Sequence, residues 1–136
     1  LGATVVTSKR SIAADDFFRG LYETALEPGE IITAVEFPIP AKAAWVKFKQ
    51  PASRFSLVGV FVSKGAGGVR VAVTGAGAGV MRVPALEQAL AANWSPDACK
   101  SVTISADGLS SDLHASAEYR AHLIGVLAAR AVAAAG

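Results

Sequence analysis

Cysteine is all but missing from this 136-residue sequence: Cys99 is the only one. A lone thiol excludes an intramolecular disulfide and any thiolate metal cluster, and it is consistent with a reducing compartment, the cytoplasm. Long apolar runs are missing too, since none approaches the ~20 residues that a membrane-spanning helix needs. Charge of one sign is scarce. The 13 basic and 11 acidic side chains leave a net charge of +2, too little to argue for nucleic acid or a membrane as partner. His114 and His122 stand eight positions apart, whereas two metal ligands on one helix face need a spacing of three or four. No Ser/His/Asp or Cys/His set can be assembled, and Cys99 reads as a small buried residue. The residues by themselves carry no hydrolase, metal-site or nucleic-acid signature.

What is present is apolar and small. Hydrophobic residues make up 52% of the chain and charged residues 18%, a globular balance in which alanine favours close packing over a large aromatic core. The length suits one domain, or one domain with part of a neighbour attached. The sequence opens Leu1-Gly2-Ala3, without a methionine or a signal-like leader, and already reads as strand. The chain is therefore expected to be a fragment of something longer.

Ala3 to Thr7 reads as a strand, and Ile12 to Gly20 as a short helical turn. Asp15 and Asp16 stand near its start, where they would cap it or face solvent. Pro28-Gly29 marks a turn. Ile31 to Pro38 reads as a strand, closed by Pro38-Ile39-Pro40 and a small, polar linker through Ala44. A domain boundary is placed there, giving residues 1–42 and 43–136. Three strands are expected next, Ala44–Gln50, Ser56–Ser63 and Val69–Thr74, in an antiparallel meander. The middle one is apolar on both faces and so central. Helices follow: Pro84 to Ala92, a short one capped by Ser95 with Pro96 in its first turn, and a long one capped by Ser116. Its apolar stripe is read through Tyr119, Leu123, Val126, Leu127, Arg130 and Ala134. The fold class is α+β: a small three-stranded antiparallel sheet packed against C-terminal helices, preceded by the tail end of another domain.

Two stretches invite a chemical reading. Gly75-Ala76-Gly77-Ala78-Gly79 sits between a strand and a helix, the order of a dinucleotide-binding turn, but the position where a third glycine belongs is Val80. The better reading is a mobile loop. In WVKFKQPASR, alternation places Trp45, Lys47 and Lys49 on one face of a strand. With Arg54 they form a cluster that either faces water or cradles a phosphate or the edge of a planar cofactor.

Four runs in order, LEPGEIITAVEFPIP from Leu26, KFKQPASRFSLVGVFV from Lys47, VRVAVTGAGAGVMRVPALEQAL from Val69 and SDLHASAEYRAHLIGVLAARAV from Ser111, resemble the FAD-binding medium subunit of molybdenum hydroxylases. This is the family of aerobic carbon-monoxide dehydrogenase and xanthine dehydrogenase. The resemblance implies that residues 1–42 end an FAD-binding domain and that residues 43–136 form the family's C-terminal domain. It implies FAD as cofactor, a molybdopterin-binding large subunit and a [2Fe–2S] small subunit as partners, and electron transfer through the flavin to an external acceptor. Two cofactor contacts carry over: Ile32 in the PGEII run and Lys49 opening the KQPASR run. The family's glycine-rich FAD segments lie upstream of anything in this sequence, so this stretch alone is expected to hold FAD weakly or not at all. An assembly module without a cofactor of its own is the rival reading. Substrate, electron acceptor and oligomeric state are not legible.

Overall fold

The computed structural model describes all residues from Leu1 to Gly136. Its first third is built of short strands: β1 (Thr4–Thr7), β2 (Ser11–Ala13), β3 (Phe18–Gly20), β4 (Glu23–Thr24) and β5 (Ile32–Glu36), with one helical turn, α1 (Ala14–Phe17). They pair antiparallel as a three-stranded sheet in the order β2-β1-β5 and a separate β3-β4 hairpin. The helical turn expected over Ile12–Gly20 thus shrinks to four residues, because backbone pairing on either side outweighs a weak local helical preference. A small cluster of Val5, Ile12 and Phe17 holds this unit together.

The remaining residues form β6 (Lys42–Lys49), β7 (Ser56–Gly65), β8 (Gly68–Thr74) and β9 (Met81–Arg82), then α2 (Pro84–Ala92), α3 (Pro96–Lys100) and α4 (Ala117–Ala135). The three expected strands are antiparallel in sequence order, and the two-residue β9 extends the edge. The linker expected through Ala44 ends sooner. Lys42 and Ala43 pair with Lys64 and Ser63, since a ten-residue β7 offers partners that small side chains accept readily. The architecture is α+β, with helices on one face of an antiparallel sheet.

Alternation sorts the sheet into two faces. Ala44 and Val46 of β6, Val58, Val60 and Val62 of β7, and Val71 and Val73 of β8 turn to the helices, where Leu86, Leu90, Ile124, Leu127, Ala128 and Ala131 meet them. Burying each such aliphatic side chain is worth about 1.5–3 kcal/mol. The opposite face carries Trp45, Phe61 and Ala72 in register. The Trp45 indole lies over Gly59, where a Cβ would collide with it. Gly59 therefore lets an aromatic ring cover the central strand on the side away from the helices.

Helix α2 has the expected limits, with Pro84 in its first turn. Ser95 and Ser116 accept from the Ala98 and Tyr119 N–H groups as N-caps. The buried side of α4 is Arg120, Ala121, Leu123, Ile124, Leu127, Ala128, Ala131 and Val132, whereas Tyr119 and Arg130 are exposed. Alanine spread round the helix blurs its periodic signal, which is why the stripe read from spacing lies off the true one. No helix is long and apolar enough to cross a membrane.

Ile124 is completely buried at the centre of the helix–sheet contact. Replacing it with alanine should cost about 2–5 kcal/mol, measured as a lower midpoint of urea unfolding. A loss within a few tenths of a kcal/mol would contradict this placement of the core.

Candidate functional site

Strand β6 ends at Lys49, and the way it ends sets the site. From Lys42 to Phe48 every residue pairs in step with β7, but Phe48 pairs with Val58 and Lys49 with Ser56. Leu57 is thus an extra residue, a β-bulge. Beyond it, Gln50 to Phe55 form a loop closed by the Gln50 N–H to the Phe55 carbonyl and the Arg54 N–H to the Gln50 carbonyl, at 2.9 and 2.8 Å. Arg54 takes φ +60, an uncommon conformation for a residue with a side chain.

The bulge leaves the Leu57 carbonyl beyond the last β7–β8 pair, Gly59 with Thr74. Arg120 reaches it from the first turn of α4. The guanidinium is almost wholly buried and donates from Nη1 to the Leu57 carbonyl at 2.7 Å and the Gly75 carbonyl at 2.9 Å, and from Nη2 to Asp112 Oδ2 at 2.7 Å. A buried charge needs such partners. The His114 N–H, then the Ala115 N–H and Arg120, hold the Asp112 carboxyl below the usual carboxylate range. Gly75 has φ +78, and a Cβ there would collide with the Ser56 carbonyl. The start of the glycine-rich segment read as a mobile loop is therefore packed in, since Ala76 is completely buried and its carbonyl accepts from the Ser110 N–H at 2.8 Å, while Ala78 and Gly79 are exposed.

On this end of the sheet the two lysines differ. Lys47 Nζ donates to the Arg54 carbonyl at 3.2 Å. Lys49 is exposed, and no hydrogen bond or ion pair within the chain engages its ammonium. Ile32 lies on β5 of the other sheet, half-exposed and paired with Thr7. Ile32 and Lys49 thus stand on different sheets. The residues before Ile32 are held firmly. Glu30 is buried and accepts from Thr7 Oγ1 at 2.7 Å, from Arg10 Nε at 3.1 Å and from the Glu27 N–H at 2.8 Å. Arg10, then Thr7 and the Glu27 N–H, pull its pKa down to about 2.

Asp15 does not cap α1; it stays exposed, as one of its two readings had it, but is tied to two arginines. It accepts from Arg70 Nη1 at 2.9 Å and from Arg82 Nη1 at 3.0 Å. Arg82 also grips Glu87 through two nitrogens. The Arg70 guanidinium, joined by Arg82, holds the Asp15 carboxyl below its ordinary range. Burial raises Glu87, but Arg82 and the Val71 N–H outweigh it and leave the group lowered. This network pins α1 to the outer face of the larger sheet, beside a cavity of about 450 Å³ lined by Phe18, Phe37, Trp45, Phe61 and Met81. His122 stacks on the Tyr119 ring with centroids 6.5 Å apart, and His114 donates its N–H to Asp112 at 2.9 Å.

The family model describing the CO dehydrogenase flavoprotein C-terminal domain matches residues 55–135. The nicotine 6-hydroxylase medium subunit of Paenarthrobacter nicotinovorans is 36% identical to the chain, over 96% of this chain and 50% of that protein. Among solved structures, CO dehydrogenase from Oligotropha carboxidovorans superposes with a TM-score of 0.81 at 27% identity, over 99% of this chain and 53% of that one. Quinoline 2-oxidoreductase from Pseudomonas putida 86 gives 0.77 at 26% identity, over 99% and 52%. The chain spans about half the length of these proteins.

Two outcomes follow from this geometry. Gly75→Ala should cost at least the ~1–3 kcal/mol of a strained backbone, read as a lower thermal midpoint; an unchanged midpoint would contradict the close approach to Ser56. The Glu30 pKa lies below its unfolded value, so its stabilisation is present above pH 4.5 and is lost as pH falls towards about 2. The gap in urea midpoint between the native chain and Glu30→Gln should narrow over that window. A gap that stays constant with pH would rule out the ionised carboxylate as its source.

Proposed function

The chain belongs to the family of the CO dehydrogenase flavoprotein C-terminal domain, and we propose that it forms part of the FAD-binding medium subunit of a molybdenum hydroxylase. In this reading residues 1–42 complete an FAD-binding domain and residues 43–136 form the C-terminal domain. The subunit works in the cytoplasm beside a molybdopterin-binding large subunit and a [2Fe–2S] small subunit, and relays their electrons to an external acceptor.

The observation that carries this assignment is the contrast between Lys49 and Lys47. Lys47 spends its ammonium on the Arg54 carbonyl, whereas Lys49 offers three donors that nothing in the chain engages. An exposed ammonium at a strand end fixed by a bulge fits an electron-rich edge of a cofactor. Lys49 would hold FAD by a charge-assisted hydrogen bond and favour negative charge beside it. Ile32 would contribute an apolar or backbone contact from the start of β5, next to a turn held by Glu30. FAD, when bound, supplies the redox chemistry. Most of the remaining contacts are assigned to residues upstream of Leu1 in the longer subunit, so the 136 residues alone should retain little flavin.

In the full-length subunit, Lys49→Ala should weaken FAD binding by about tenfold or more, the worth of one hydrogen bond to a charged group. Lys47→Ala should change it far less. Flavin absorbance after extensive dialysis, followed by titration with FAD, measures both. Unchanged retention in Lys49→Ala, or an equal loss in Lys47→Ala, would sink the assignment.

A further inference from the structure

We infer that Arg120 is a positioning residue: by capping the Leu57 and Gly75 carbonyls it fixes the bulge in β7 and thereby the place of Lys49. This rests on the reading of Lys49 as a cofactor-facing group, and it reaches a helix far from Lys49 in sequence.

A bulge sets register only if its unpaired groups have partners elsewhere. Leu57 is buried, so a carbonyl without a donor would cost more than the bulge could bear, and the ladder would relax towards regular pairing. Sliding β7 by one residue to remove Leu57 would place Leu57 opposite Lys49 and draw the 50–55 loop inward. Lys47 Nζ would then lose the Arg54 carbonyl, whose position depends on that loop. Arg120 prevents this from one point. Its planar fork serves both carbonyls through Nη1 and is itself aimed by Asp112 through Nη2. Asp112 is aimed in turn by the His114 and Ala115 N–H groups at 2.9 and 3.1 Å. Lysine keeps the charge but lacks the fork, and cannot serve two carbonyls and a carboxylate in this geometry. The loop side is equally tight, because Gly75 leaves no space for a Cβ against Ser56. Arg120 makes no hydrogen bond to Lys49, so the effect assigned to it runs through the backbone from Leu57 to Lys49.

The test is a double-mutant cycle in the full-length subunit, with FAD affinity measured for the native protein, Lys49→Ala, Arg120→Lys and the double variant. Arg120→Lys should weaken FAD binding by about three- to tenfold when Lys49 is present and by less than about twofold when it is alanine. Asp112→Asn, which keeps the fork but loosens its aim, should act in the same direction and more weakly. Equal losses in both backgrounds would mean that Arg120 supports the fold in general and would overturn the inference; so would no loss beside an intact Lys49. Amide hydrogen exchange provides a readout that needs no flavin. In Arg120→Lys the amides from Gln50 to Leu57 should exchange faster, apart from Pro51, while those of Leu86, Leu90 and Val71 keep their protection. Unchanged protection across Gln50–Leu57 would overturn the inference whatever the flavin does. If Lys49→Ala alone leaves FAD binding intact, the cofactor assignment of Lys49 falls, and the exchange data alone decide whether Arg120 fixes the bulge.

Discussion

A buried guanidinium closes the end of the main sheet. Strand β7 is the one element that both neighbouring strands, the helix layer and the Trp45 ring all touch, and it is irregular where β6 ends. The irregularity is stable because Arg120 supplies donors to the carbonyls that the ladder leaves over. Desolvating an arginine is costly, and two carbonyls, a carboxylate and the packing of α4 against the sheet oppose that cost here, with Nε alone left without a partner. With that end fixed, the rest follows from ordinary forces. Valines on β7 and β8 meet leucines and alanines on α2 and α4.

The first third depends on polar rather than apolar anchoring. Its cluster of Val5, Ile12 and Phe17 is small, and several apolar side chains around it, among them Tyr22, Ile31 and Ile39, are exposed. Two ionic centres compensate. Glu30 draws Thr7, Arg10 and the Glu27 N–H onto one carboxylate, and Asp15 ties the α1 turn to Arg70 and Arg82 of the larger sheet. The Glu30 centre holds the first third together internally, whereas the Asp15 centre ties it to the second and limits how the two can move against each other. Ile32 and Lys49 belong to different sheets, and the ties between those sheets are the Asp15 ion pairs and the short Pro38–Pro40 crossing.

Much of the secondary structure was legible because its signals are local. Pro84, Ser95 and Ser116 mark helix starts through groups within one turn, and the double-sided apolar run of β7 marks a central strand. The ion pairs were not legible. Asp15 meets partners 55 and 67 positions away, and nothing beside it in sequence announces them. Arg120 was hidden for a related reason: an arginine in an alanine-rich helix reads as a solvent-facing charge until the carbonyls above it are known. Alternation placed Lys47 and Lys49 on one face but could not rank them. Ranking by residue type came from family resemblance, while the occupied Lys47 ammonium is a fact of three dimensions. The glycine-rich segment misled in the opposite sense, since glycine signals both mobility and close approach, and at Gly75 it serves the second.

The central claim is that Lys49 meets a flavin from a strand end held by Arg120. A crystal or cryo-electron microscopy structure of the full-length subunit loaded with FAD tests it most directly. The account predicts Lys49 Nζ at about 3 Å from an oxygen or nitrogen of the cofactor, with Lys47 still on the Arg54 carbonyl and Arg120 still on Leu57 and Gly75. FAD bound with Lys49 turned to solvent, or gripped by Lys47 instead, would contradict it.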